Sequence, residues 1–198
     1  MVRRLFDVQV AVVIPIKSFT LAKGRLAATL TPDQRAHLAR ECATHVVRAA
    51  HPLEVFVVCS DPDVATWATQ LNAHVVDCPT PGLDVAVATG VRHAELHGAT
   101  HVIVSHADLP LATNLSHVAR EGKVTMVPDR HRDGTNVLSF PLGVGFTTAY
   151  GPGSCDNHIR IAESLGLNVE IIDDDSLALD VDTADDLGEL QRRQKDTP

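Results

Sequence analysis

The stretch VAVVIPIKSFTLAKGRLAATLTPDQR, Val10–Arg35, changes character twice. Its beginning belongs to a β-branched apolar run from Val8 to Ile16 that reads as a buried strand. Its end opens a helix, with Thr31 as N-cap, Pro32 at the first helical position and Gln34 three residues after the cap. Between the two lie Lys17, Lys23 and Arg25 in one short loop. A buried strand that leads through a loop into a capped helix is the opening unit of an α/β sheet. The cationic loop calls for a partner carrying several negative charges.

The same alternation continues outward from this unit. EVFVVCS (54–60) reads as a second strand, and Asp61-Pro62 opens a helix to Leu71. AHVVD (73–77) is a short strand followed by a helix from about Leu83 to His97. THVIVSHADLP (100–110) gives a fourth strand expected to end at Asp108, and KVTMVP (123–128) and TNVLSF (135–140) give two more. SCDNHIRIAESLG (154–166) is a helix closed by Gly166. NVEIID (168–173) and LALDVD (177–182) are expected as the last strands, before a helix that begins at Thr183 with Asp186 in the capping-box place. This pattern predicts a single domain over 1–198, built on a mostly parallel sheet covered on both faces. In such sheets ligands gather beyond the carboxyl ends of the strands, which directs attention to Lys17, Asp108 and the residues after Val127.

Composition narrows the function. Of 198 residues, 44% are hydrophobic and 21% charged, as in a globular chain, and the formal charge of −8 argues against nucleic acid as partner. One Trp, one Tyr and five Phe leave little for base-stacking platforms. Cys42, Cys59, Cys78 and Cys155 form no C-x-x-C pair, so reduced thiols in a cytoplasm are the simplest reading. Pro15 and Lys17 interrupt the first apolar run, and no run approaches a membrane span.

Familiar motifs fail. No segment supplies a P-loop or a G-x-S-x-G elbow. GPGSCD (151–156) starts like a dinucleotide fingerprint but has Asp156 in the place of the third glycine. His93 and His97 have i, i+4 spacing that suits zinc, yet in a chain with eleven histidines such a pair reads first as surface imidazoles.

The carboxylates say more. DDDSLALDVDTADD holds seven aspartates between Asp173 and Asp186. Asp173 to Asp175 read as a solvated turn, and Asp185 and Asp186 suit a helix N-terminus. Asp180 and Asp182 sit two apart on an alternating stretch and so share a side, where they repel unless a cation lies between them. A strand end dissolving into solvent is the competing reading. Asp108, fixed by Leu109-Pro110, adds a third carboxylate, and three aspartates make a hard oxygen site suited to magnesium shared with phosphates. In PDRHRDGTN (128–136), Gly134 would let the backbone approach a ligand, and Thr135 and Asn136 could donate to an anion. Arg130 and Arg132 add charge, and Gly151, Gly153 and Ser154 precede a helix start; an ordinary mobile loop is the alternative. Together the parts describe metal-assisted phosphoryl or nucleotidyl transfer to a small phosphorylated acid.

IPIKSFTLAKGRLA (14–27), HADLP (106–110), VPDRHRDGTNVL (127–138), YGPGSCDNH (150–158) and LALDVDTADDL (177–187) resemble, in order, the 2-phospho-L-lactate guanylyltransferases. Relatives in that family use phosphoenolpyruvate or 3-phosphoglycerate, in coenzyme F-420 biosynthesis. The resemblance implies a nucleotidyltransferase-type (GT-A-like) three-layer α/β/α sandwich. It implies metal-binding aspartates at Asp108, Asp180 and Asp182, with Mg2+ as cofactor. It also implies a triphosphate loop with Lys17, Lys23 and Arg25, and acceptor contacts from Thr135, Gly151 and Ser154. Asp84 in Gly82-Leu83-Asp84 stands where relatives commonly have Asn. The expected partners are GTP and a small phosphorylated carboxylic acid, with phosphoenolpyruvate favoured, no nucleic acid or membrane, and a homodimer as the candidate assembly. The implied reaction needs no protein nucleophile or general base, so no His or Cys is expected to carry out chemistry. Alternatives are another nucleotidyltransferase of this fold, acting on a sugar phosphate or a molybdopterin, and a non-catalytic nucleotide-binding module.

Overall fold

The computed structural model describes residues 8–196. Seven strands form one sheet: β1 (Val10–Pro15), β2 (Glu54–Cys59), β3 (His74–Asp77), β4 (His101–Ser105), β5 (Lys123–Pro128), β6 (Thr135–Pro141) and β7 (Asn168–Ile171). Their order is β3-β2-β1-β4-β6-β5-β7. The pairs β1·β2, β1·β4, β2·β3 and β5·β7 are parallel, and β6 runs antiparallel to both neighbours. The helices are α1 (Pro32–Ala49), α2 (Pro62–Gln70), α3 (Leu83–Leu96), α4 (Ser154–Ser164), a single turn α5 (Asp175–Ala178) and α6 (Ala184–Asp196).

The alternation of β1 builds both faces. Val12 and Ile14 enter one core with Ala43 and Val46 of α1 and with Trp67 of α2. Ala11 and Val13 enter the other with Val87 and Ala94 of α3 and with Cys155 and Ala162 of α4. Adjacent residues of a strand point to opposite faces, so a strand apolar at every position requires a layer of helix on each side. Helix α3 lies close to the sheet at Gly90: a Cβ there would come within 2.5 Å of Val13 and 2.6 Å of Val58.

The expected caps form. Thr31 and Gln34 exchange side-chain and backbone hydrogen bonds, a reciprocal capping box on α1. Asp61 accepts from the amides of Asp63 and Val64. Thr183 and Asp186 bond reciprocally before α6, at 2.8 and 3.4 Å. Among the described residues, no helix is long and apolar enough to cross a membrane.

Two elements differ from expectation. Strand β4 stops at Ser105, so Asp108 stands three residues beyond it in a loop. LALDVD is not a strand: α5 takes its start, and 179–182 continue without sheet pairing. The alternation survives for another reason. Leu179 and Val181 are fully buried with Leu26 and Leu190 in a third, smaller core, and Asp180 and Asp182 between them face the other way. An apolar cluster on one side and a polar site on the other imposes the same two-residue period as a sheet edge.

Candidate active site

The loop after β1, the loop after β4 and the 179–182 segment converge at the carboxyl edge of the sheet. One carboxylate oxygen from each of Asp108, Asp180 and Asp182 lies within 4.8 Å of the others. The Val181 amide donates to the Asp108 carbonyl at 3.2 Å, which ties the two segments by their backbones. Asn136, at the start of β6, donates from Nδ2 to the carbonyls of Leu177 and Ala178 and to Asp180 Oδ1 at 3.3 Å. Asn136 therefore orients a carboxylate, where the sequence suggested a direct anion contact. Its side-chain role had no sequence signal beyond a polar residue beside Thr135.

The three basic residues separate. Lys23 is buried, at 8% exposure, on a left-handed backbone with φ of 59°. Its Nζ donates to Asp108 Oδ2 at 2.8 Å and Asp182 Oδ1 at 3.3 Å. Burial pulls the ammonium pKa down, but the Asp108 and Asp182 carboxylates more than offset this and hold it above its ordinary value. Burial likewise pushes Asp108 up, and the Lys23 ammonium outweighs it, so Asp108 titrates below the usual carboxylate range. Asp180 is held above that range, by burial first and then by the Asp108 carboxylate. Cys42, under Lys23, is pushed up to about 12 by burial, which keeps it a neutral thiol. Lys17 is exposed, and Arg25, exposed as well, stands 3.9 Å from Asp182.

Two adjoining cavities open here. One of about 340 Å³ is lined by Lys17, Lys23, Phe19, Leu83, His106 and Asp108. The other, about 360 Å³, shares Lys17 and Leu83 and extends over Cys59, Cys78, Thr80 and Gly82. One wall is charged and the rest mostly apolar, the mixture expected of a site for a polyanion with a flat organic body.

Thr135 and Ser154 are brought together but turned inward. They are 1% and 2% exposed, and their hydroxyls are 3.4 Å apart. Thr135 Oγ1 also lies 3.1 Å from His158 Nδ1, while His158 Nε2 accepts the Ala149 amide at 3.0 Å. That amide leaves Nδ1 as the protonated ring nitrogen, and burial pulls the His158 pKa down to about 4. Gly151 is exposed, with φ of +124°, a conformation that favours glycine. The amide of Gly153 before α4 donates to Asp133 Oδ2 at 3.3 Å. Gly134 has a different use from close approach to a ligand: a Cβ there would lie 2.7 Å from Asp129, whose carboxylate gathers the amides of His131, Asp133 and Gly134. Arg130 is bound by Asp186 and Arg132 by Asp173, so their charges are already matched.

Asp84 accepts at Oδ1 from the Thr148 hydroxyl at 2.7 Å and the Tyr150 amide at 3.1 Å. Both contacts use only an acceptor oxygen, which Asn also carries, and this accounts for Asp in that place. His93 and His97 each turn Nδ1 to the carbonyl four residues back, and the aspartate trio is the one metal-competent group among the described residues.

The trio suits a hard divalent ion. It offers carboxylate oxygens alone, and Asp108 Oδ1 is buried with no hydrogen-bond partner.

Known proteins resemble this chain in sequence and in fold. The family model described as "Guanylyl transferase CofC like" matches residues 10–197. A phosphoenolpyruvate guanylyltransferase of Conexibacter woesei is 38% identical over 191 residues, covering 90% of this chain and 86% of its own. A 2-phospho-L-lactate guanylyltransferase of Methanothermobacter thermautotrophicus is 32% identical over 197 residues, covering 90% and 82%. Among solved structures, a nucleotidyl transferase from the same organism superposes with a TM-score of 0.67 at 14% identity, covering 97% of this chain and 100% of that one. A superposition of this extent at that low identity speaks for the fold, and the guanylyltransferase relatives speak for the family. The chain belongs to the CofC-like guanylyl transferase family and is a nucleotidyltransferase.

Proposed function

We propose that the protein transfers GMP from GTP to the phosphate of a small phosphorylated acid, with release of pyrophosphate, and that phosphoenolpyruvate is the acceptor. The observation that carries this reading is the aspartate trio, paired with Lys23 and joined through Asp108 to the cavity that Lys17 also lines. The similarity to a phosphoenolpyruvate guanylyltransferase over 90% of the chain supports the choice of acceptor.

In this reading Asp108, Asp180 and Asp182 hold Mg2+, which when bound neutralises phosphate charge. Lys17 and Arg25, both exposed, take the outer phosphates of GTP. Lys23 keeps Asp108 and Asp182 oriented while its charge faces the same phosphates. The acceptor's phosphate oxygen forms a bond to the α-phosphorus as the bond to the bridging oxygen breaks, and the electron pair leaves with pyrophosphate. That oxygen is already ionised near neutral pH, so the protein supplies position and charge and no base. Thr135 and Ser154 brace the turn that presents Gly151 to the acceptor.

Magnesium-dependent pyrophosphate release from GTP, with phosphoenolpyruvate, 2-phospho-L-lactate and 3-phosphoglycerate offered separately, tests the reading. Release with phosphoenolpyruvate, and none when ATP replaces GTP, is expected. No release with any of the three, from folded protein, would overturn it.

A further inference from the structure

Buried polar atoms without a partner are costly, and among the described residues such side-chain atoms are Arg35 Nε, His106 Nε2, Asp108 Oδ1 and Tyr150 Oη. Three of these belong to one neighbourhood. The rings of His106 and Tyr150 are 5.5 Å apart between centroids. His106 lies two residues before Asp108 in the loop after β4. It also lines the 340 Å³ cavity together with Lys17 and Asp108.

Both side chains are held in place by bonds that leave these atoms free. The His106 amide donates to the Asn136 carbonyl at 2.9 Å, and Asn136 in turn holds Asp180. Tyr150 is fixed by its amide on Asp84 and by edge contact with the His158 ring at 4.9 Å. Burial raises the Tyr150 pKa, so the hydroxyl stays a donor. A phenol and an imidazole held in ring contact, both with an unpartnered polar atom and one lining the cavity, are suited to receive an oxygen anion.

We propose that Tyr150 and His106 form the seat for the carboxylate of the acceptor acid and so help to set which phosphorylated acids are used. This rests on the guanylyl transfer reading above. The groups differ in kind: Lys17, Lys23 and Arg25 are charged donors suited to phosphates, whereas the Tyr150 hydroxyl is an uncharged donor suited to a monoanion. His106 here binds and orients, and takes no part in bond making.

The test uses Tyr150→Phe, His106→Leu and His106→Gln in the full chain, with phosphoenolpyruvate as acceptor. Loss of one hydrogen bond to a carboxylate should raise KM for phosphoenolpyruvate by about tenfold or more in the Phe and Leu variants. KM for GTP should stay within about twofold, and Gln, which keeps an N–H, should recover part of the loss. With isopropenyl phosphate, which lacks the carboxylate, wild type and Tyr150→Phe should perform alike. Tyr150→Phe should not lower the melting temperature, since it removes an unmatched hydroxyl and keeps the ring. An unchanged KM for phosphoenolpyruvate in both the Phe and Leu variants, or an equal rise in KM for GTP, would overturn the seat. If wild type turns over none of the acids, the transfer reading fails by itself. Calorimetric binding of phosphoenolpyruvate with Mg2+ then decides the seat: weaker binding to Tyr150→Phe than to wild type sustains it, and equal binding or none to wild type refutes it.

Discussion

The two carboxylate oxygens of Asp108 look onto different kinds of territory. Oδ2 accepts from Lys23, which also reaches Asp182, and on that flank every buried charge has a counter-charge. Oδ1 meets nothing, and beyond it His106 and Tyr150 hold buried polar atoms equally unmatched. A protein that folds to minimise such atoms places them where a ligand will supply the missing bond. The difference teaches that the Lys23 flank is organised by the fold itself, whereas the Tyr150 flank is completed by substrate.

The strongest way to break that comparison is to remove the residue common to both flanks. Asp108→Ala, and likewise Asp182→Ala, should reduce pyrophosphate release at least about a hundredfold while circular dichroism stays native. Retained turnover in either would remove the metal assignment. Lys23→Met comes next. It leaves Asp108 and Asp182 without their counter-charge and should cost about 2 kcal/mol in urea unfolding, less than for a fully buried pair because both carboxylates reach solvent. A Lys23 variant as stable as wild type would mean that this flank, too, depends on ligand.

Acid sharpens the contrast from another side. Burial pulls both His101 and His158 down to about 4 from an ordinary value of 6.5. Rings with a folded pKa below the unfolded one bind fewer protons in the fold. Their contribution is therefore complete above pH 6.5 and falls away as pH drops toward 4, by roughly 3 kcal/mol per ring at most. Unfolding measured across that window should show stability declining before the carboxylates titrate, and a flat profile would contradict the neutral His158 that braces the 149–150 turn. The smallest effect belongs to Asp84→Asn. It retains the acceptor oxygen for Thr148 and Tyr150, so stability should move by no more than about 0.5 kcal/mol and KM for phosphoenolpyruvate by less than twofold. A larger change would show that the second oxygen or the charge of Asp84 has a use of its own.

Much of the fold was legible because local signals agreed with one another. Thr31 with Gln34, Asp61 with Pro62, and Thr183 with Asp186 each marked a helix start that the structure repeats. The LALDVD alternation was visible, but a two-residue period tells only that two environments alternate. It could not reveal that the apolar side belongs to the small Leu26–Leu190 cluster and has no neighbouring strand. The candidate site was legible as a set of residue types, and its three aspartates do converge. Lys23 was read as one more cation of an open loop because nothing local marks its left-handed backbone or its burial. His106 and Tyr150 escaped notice for a plainer reason. They meet only through the pairing of β4 with β6 and the loop that follows, and single aromatic residues carry no spacing.

The reversal of β6 has a consequence for how this enzyme can change. In a sheet whose other strands run one way, the turn between β5 and β6 emerges at the same edge as the aspartates, and β6 begins there with Thr135 and Asn136. That turn is closed by Asp129 and tied outward by Arg130 to Asp186, by Arg132 to Asp173 and by Asp133 to the amide of Gly153. The turn is therefore coupled to the 173–186 segment that carries Asp180 and Asp182, and an exchange within 129–134 would have to bring partners for Asp173 and Asp186 with it.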